Sequence, residues 1–184
     1  MQKFLKWTLE AIREDESLMS WMEERRFEWV PLASSTLKNI LCGHTFIIIT
    51  DKEREWFGKY LLSSLNRFDK NRPFLPIINF NELSYNIDEA NNKEKISVLE
   101  DMLSISFPNG YTFFYIGKSD SPRAKMVKHH EGSFLWIMDE QIQNSFYLNS
   151  SDELLDIKLI QLSRLFDKSI DAALFSEITM DDLG

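Results

Sequence analysis

Thr45-Phe46-Ile47-Ile48-Ile49-Thr50 is the stretch from which the rest of the chain falls into order. Its apolar run is continuous and rich in β-branched side chains, so a strand built on it must be covered on both faces, as in a parallel sheet. Helical spacing follows from about 53 to 66, and the alternation then repeats. Leu75 to Phe80 reads as a strand, 91 to 106 as a helix, Tyr111 to Ile116 as a strand, Pro122 to about His129 as a short helix and Ser133 to Met138 as a strand. Phe146-Tyr147-Leu148 supplies a fifth strand, and a long helix is expected from about 152 to 176, capped by Ser150, Ser151 or Asp152. Upstream, residues 2 to about 26 and 33 to 42 carry helical spacing, with Phe4, Thr8, Ala11 and Ile12 on one stripe and Pro31 dividing the two segments. The expected fold is α/β: a three-layer, flavodoxin-like arrangement of five parallel strands with helices on both faces and an N-terminal helical segment.

Composition supports one folded unit. The 184 residues are 43% hydrophobic, with 14 Phe, 5 Trp and 5 Tyr against only 6 Gly, and a domain of this size hides roughly 70% of its unfolded surface. No repeat, low-complexity tract or linker interrupts the chain, so residues 1–184 are expected to form a single domain. Its parts are helices over 1–42, alternating strands and helices over 43–150, and a long helix with an acidic tail over 151–184.

The formal charge of −8 argues against direct nucleic-acid binding, because phosphate contacts require concentrated Lys and Arg. The best basic run, Lys118 to Lys128, sets Lys118, Arg123, Lys125 and Lys128 against Asp120, and short runs of this kind are usually solvated faces. Cys42 stands alone, which excludes an intrachain disulfide and a thiolate zinc site and fits a reducing cytoplasm. The opening Met1-Gln2-Lys3-Phe4-Leu5-Lys6-Trp7 lacks an apolar signal core, and no apolar stretch approaches the roughly 20 residues needed to span a bilayer. The expected location is cytoplasmic, without a membrane partner.

Ligands of parallel α/β sheets sit beyond the carboxyl ends of the strands. After the first strand stands Thr50-Asp51-Lys52-Glu53-Arg54-Glu55, with no glycine to admit a phosphate. Asp51 and Glu53 place carboxylates at the positive helix start, where they cap it themselves. After the third strand, Gly117-Lys118-Ser119-Asp120-Ser121-Pro122-Arg123 has two readings: a helix start capped with Pro122 at its first position, or an anion site using Ser119, Ser121 and Arg123. His44, His129 and His130 lack metal-ligand spacing, no Gly-x-Ser-x-Gly elbow exists, and residues 131–184 contain no histidine. No catalytic residue, metal or cofactor is expected.

The order of four segments resembles the sugar isomerase (SIS) family: Gly43-His44-Thr45-Phe46-Ile47-Ile48-Ile49, Arg72-Pro73-Phe74-Leu75-Pro76, Ile116-Gly117-Lys118-Ser119-Asp120-Ser121-Pro122, and the late Ala173-Leu174-Phe175. Phosphoheptose isomerases and the replication-initiation regulator DiaA are similar. Arg54-Glu55-Trp56-Phe57, Ser133-Phe134-Leu135-Trp136 and Leu154-Leu155-Asp156-Ile157-Lys158-Leu159-Ile160-Gln161-Leu162 resemble the diverged HobA-type regulators most specifically. SIS isomerases are known for a Gly/Ser-rich loop after the first strand, a glutamate in the next helix and a histidine in the last one. This chain has Thr50 to Glu53 in the loop, no carboxylate from Phe57 to Leu62, and Leu159 to Arg164 where the histidine would fall. The resemblance therefore implies a non-catalytic SIS-type adaptor, a homotetramer that binds the N-terminal region of the initiator DnaA and promotes its assembly at the chromosomal replication origin. The alternative is a sugar-phosphate isomerase or phosphosugar-binding regulator.

The last helix adds an argument of its own. At about 100° per residue, Leu155, Leu159, Leu162, Phe166 and Ala173 form one stripe, while Ile157, Ile160, Phe175 and Ile178 project to the far side. Two apolar sides require either two burial surfaces within the chain or a partner. Leu174-Phe175 also matches a Leu-Phe pair that, by resemblance to DiaA, belongs to an initiator-binding surface. Leu174, Phe175, Ile178, Ile157 and Ile160 are thus the candidate partner-binding residues. Trp7, Trp21, Phe27 and Trp29 are candidate subunit contacts or core. From Asp152 to Gly184 three cations face eight carboxylates, a balance that would steer a basic partner or simply solubilise a tail.

Overall fold

The structure, a computed structural model, describes residues 1–14, 16–83, 93–128 and 130–184. Five parallel strands lie in the order β2-β1-β3-β4-β5: β1 (Thr45–Thr50), β2 (Ile77–Asn79), β3 (Tyr111–Lys118), β4 (Phe134–Met138) and β5 (Phe146–Leu148). Phe46 is in register with Ile77, Ile47 with Phe113, Tyr115 with Leu135, and Ile137 with Tyr147. The helices are α1 (Gln2–Glu14), α2 (Met22–Leu41), α3 (Glu55–Leu65), α4 (Phe80–Leu83), α5 (Lys93–Ser106), α6 (Pro122–Val127) and α7 (Leu155–Leu174).

Strand side chains alternate between the faces, which explains why the runs are apolar throughout. Phe46, Ile48, Phe114, Ile116, Phe134 and Trp136 join one core with side chains of α1, α2, α3 and α7. Ile47, Ile49, Phe113, Tyr115, Leu135 and Ile137 join the other with Phe80 of α4, Leu103 of α5 and Ala124, Met126 and Val127 of α6. The first core is aromatic at its centre: the Phe114 ring is 4.9 Å from Phe134 and 4.8 Å from Trp136, and Phe166 of α7 is 5.1 Å from Phe134. Such offset and edge-on pairs add to the stabilisation from burial itself.

The structure redraws several expected boundaries. The opening helices break before Met22, and Pro31 lies inside α2. The buried residues Trp29, Val30, Ala33 and Leu37 form a continuous stripe, and Pro31 sits on the exposed side. The packing of that stripe outweighs one missing backbone hydrogen bond. The expected strand from Leu75 contracts to Ile77–Asn79, because Phe80 begins α4. Ahead of α7, Asp152 makes a turn by accepting the Leu154 N–H at 2.9 Å, so the helix starts at Leu155 rather than 152. Residues 91 and 92 of the expected fourth helical segment, and His129, lie outside the described residues.

After α7 the chain turns sharply. Ser176 adopts φ +65°, the Glu177 N–H returns to the Ala172 carbonyl at 2.8 Å, and a short 3₁₀ helix covers Met180–Leu183. That helix folds back on the N-terminal helices through Lys3–Asp182 at 2.9 Å and the Ser34 hydroxyl, which donates to the Leu183 carbonyl.

Candidate functional site

At the carboxyl ends of β1 and β3 the polar groups satisfy one another. Asp51 caps the turn into α3: one carboxylate oxygen accepts the Arg54 N–H at 3.0 Å, as its position in sequence predicts. The other takes the Arg54 guanidinium at 2.8 Å and the Lys118 N–H at 2.9 Å. Gly117 permits this approach, since a Cβ there would lie 2.7 Å from the Asp51 carboxylate carbon and from the Tyr115 hydroxyl. The Tyr115 hydroxyl donates to the Lys118 carbonyl at 2.8 Å, and burial pushes its pKa up, so it stays a neutral donor.

The candidate anion ligands lie around this network. The buried Arg123 guanidinium turns inward to the Thr50 carbonyl at 2.8 Å and the Glu55 carboxylate at 3.1 Å. Ser121 caps α6 by accepting the Arg123 N–H at 3.2 Å, and Ser119 donates to the Glu140 carboxylate. Lys118 pairs with Glu53 at 3.3 Å, and that pairing holds the Glu53 carboxyl below its ordinary range. Lys128 donates to the Ser119 carbonyl at 2.8 Å. The basic run is thus spread over internal partners, with Lys125 exposed.

His44 and His130 stand at the opposite ends of the strands, beside a hollow of about 530 Å³ that they line with Tyr111 among others. His130 stacks on Tyr111 at 4.6 Å, and His44 lies 3.5 Å from the Thr112 hydroxyl. Among the described residues no group of three or more His, Cys, Asp or Glu could hold a metal, and no helix is long and apolar enough to cross a membrane.

A second surface lies between α1 and the end of α7. Trp7, Glu10, Ala11 and Glu14 form one wall, and Lys168, Asp171, Ala172, Phe175 and Glu177 the other, around a groove of about 340 Å³. Trp7, Glu10 and Glu14 share one helical stripe, as do Lys168, Asp171, Ala172 and Phe175. Ala11 and Ala172 are buried and make the floor; Phe175 is 59% exposed and stands at the rim. Lys168 reaches Glu14 at 3.6 Å, and Arg72 holds Asp171 at 2.5 Å.

The candidate partner residues separate in three dimensions. Leu174 is half-buried against the core beside Phe175. Ile178 is 1% exposed: the turn at Ser176 sends it into the core, so it offers no surface to a partner. Ile157 is 53% exposed and Ile160 half-buried at the other end of α7, about 27 Å and about 22 Å of helix away from Phe175 at 1.5 Å per residue. Exposed Leu18 and Leu154 are the neighbouring apolar groups in sequence and through the Gln161 contact to the Leu18 carbonyl at 2.8 Å. Of the early aromatics, Trp29 is core, Phe27 is exposed, and Trp21 donates to Gln161 at 2.9 Å. Of the α1 wall, the sequence reading singled out Trp7 as a subunit contact or core residue and missed Glu10 and Glu14, although the three stood at spacings that share a helix stripe.

These features define a three-layer parallel α/β protein with internally engaged strand ends and exposed apolar groups on its helices. The family model described as "HobA: DNA replication regulator" matches residues 1–180, and the chain belongs to that family. It is 30% identical over 186 residues to the DNA replication regulator protein HobA of Helicobacter pylori (strain ATCC 700392 / 26695), covering 98% of this chain and 100% of that protein. Its structure is similar to that of HobA in a complex with DnaA (domain I-II) from Helicobacter pylori, with TM-score 0.75, 29% identity and coverage of 96% of this chain and 98% of that one. A crystal structure of Helicobacter pylori HobA alone is equally similar, with TM-score 0.75, 28% identity and coverage of 96% and 97%.

Proposed function

We propose that this regulator is a non-catalytic adaptor that binds the N-terminal region of the initiator DnaA and, as a homotetramer, promotes DnaA assembly at the chromosomal replication origin. The observation that carries the reading is the likeness, over nearly the whole chain, to a HobA molecule solved in complex with DnaA domain I-II. Phe175 at the groove rim, with Leu174 beside it, is the proposed contact for DnaA. Ile157 and Ile160, at the far end of α7, are proposed to serve contacts between subunits. A non-catalytic role is supported by the Asp51, Arg54 and Arg123 network, whose charged groups hold the strand ends together.

Calorimetric titration with the purified N-terminal region of DnaA from the same organism tests the reading, with light scattering to fix the mass of the chain alone. The expected result is a tetramer binding about one DnaA fragment per subunit, at micromolar Kd or tighter. Leu174→Ala with Phe175→Ala should weaken binding without altering the circular dichroism spectrum. The absence of binding by the wild-type chain at several temperatures, confirmed by a second method, would sink the adaptor role.

A further inference from the structure

We propose that the groove between α1 and α7 receives a basic amphipathic helix of the DnaA N-terminal region, with one large apolar side chain over Ala11 and Ala172 and Lys or Arg on adjoining turns. This rests on the adaptor reading and specifies the chemistry of the partner at the Phe175 site.

Shape supplies the first part of the argument. Two alanines, 4% and 3% exposed, leave a depression between the Trp7 and Phe175 side chains. Its volume of about 340 Å³ suits one or two side chains, not a whole helix. A small floor between aromatic walls is an anchor pocket, and the two helical walls frame a channel along which a third helix can lie.

Charge supplies the second. The lining carries Glu10, Glu14, Asp171 and Glu177 against Lys168 alone. Asp171 is engaged by Arg72, and Glu14 by Lys168. The Glu10–Lys6 pair is open to solvent on both sides, 61% and 79% exposed at 3.7 Å, so water screens it and an incoming cation can replace it at little cost. Glu177 projects from the exposed turn after α7. A carboxylate rim around an apolar pocket favours a partner whose anchor is flanked by cations, and it speeds the encounter more than it deepens the bound state.

The test is surface plasmon resonance of the full chain against the purified DnaA N-terminal region at low and high salt. It compares the wild type, Glu10→Lys with Glu177→Lys, and Phe175→Ala, each checked for its fold by circular dichroism and melting. Charge reversal should slow association about tenfold or more and flatten its salt dependence, while Phe175→Ala should chiefly speed dissociation. If reversal leaves association unchanged while Phe175→Ala still weakens binding, the docking site stands and the basic partner is wrong. Faster association after reversal identifies an acidic partner and overturns the inference. No binding by the wild type removes the adaptor reading and this inference together.

Discussion

The Asp51 carboxylate accepts the Lys118 backbone N–H at 2.9 Å, tying the end of β1 to the end of β3, and the same oxygen faces the Arg54 guanidinium at 2.8 Å. Both ion-pair side chains are at least nine-tenths buried, at 10% and 7% exposure. Removing Asp51 leaves the buried Arg54 guanidinium with Glu53 alone, at 2.6 Å, and takes the acceptor from the Arg54 and Lys118 N–H groups, so Asp51→Ala should cost about 2–3 kcal/mol in urea unfolding followed by tryptophan fluorescence. Asp51→Asn keeps an acceptor for the cap and should lose less; an Asn variant as stable as the wild type would contradict the ionic contribution, and losses equal to those of Asp51→Ala would contradict the contribution of the cap.

Gly117→Ala places a methyl 2.7 Å from both the Asp51 carboxylate and the Tyr115 hydroxyl, at φ +158°. The neighbours belong to a hydrogen-bonded network that cannot give way cheaply, so the expected loss is about 1–3 kcal/mol. An unchanged urea midpoint would show that the strand ends are looser than these distances imply.

Arg72 ties the loop after α3 to α7. Its side chain is 1% exposed and donates to Asp167 at 2.7 Å, to Asp171 at 2.5 Å and to the Leu65 carbonyl at 2.6 Å. Arg72→Met should destabilise the chain by about 1–3 kcal/mol, because it leaves Asp167 with Lys70 alone and takes the donor from Asp171 and the Leu65 carbonyl, while keeping much of the side-chain volume. A change below about 0.5 kcal/mol, the usual size for a surface substitution, would refute the assignment.

The Asp182 carboxyl is held down to about 2, first by the Lys3 ammonium and then by the backbone and hydroxyl of Thr179. A depressed folded value stabilises the protein above the ordinary aspartate range, near pH 4, and that contribution disappears as pH falls through about 2. Asp182→Asn should therefore lower Tm at neutral pH, and the gap from the wild type should close as the solution is acidified to about pH 2. A gap that stays constant down to that pH would contradict the linkage.

Sheet and site were legible to different depths. The central strands announced themselves because burial on both faces leaves long runs without a polar position, as in Phe46 to Ile49 and Phe134 to Met138. Asp51 was legible as a cap because capping is local. Pro31 misled because its backbone cost is visible in sequence, while the compensating stripe of Trp29, Val30, Ala33 and Leu37 acts only through tertiary packing. Ile178 misled for a related reason: projecting at 100° per residue assumes that the helix continues, and the turn at Ser176 ends the helical phase. The groove was hidden because Trp7 and Phe175 face one hollow only after folding has brought the two ends of the chain together.

The two border strands, Ile77–Asn79 and Phe146–Leu148, span only three residues each. A foreign strand laid against either would find too few backbone groups to form a stable ladder, so the sheet resists runaway extension into fibrous aggregates. What the molecule leaves open to other chains is therefore side chain rather than backbone: Phe175 and Ile157 stand on the helical surface, while the main-chain hydrogen bonding of the sheet offers little purchase to a newcomer.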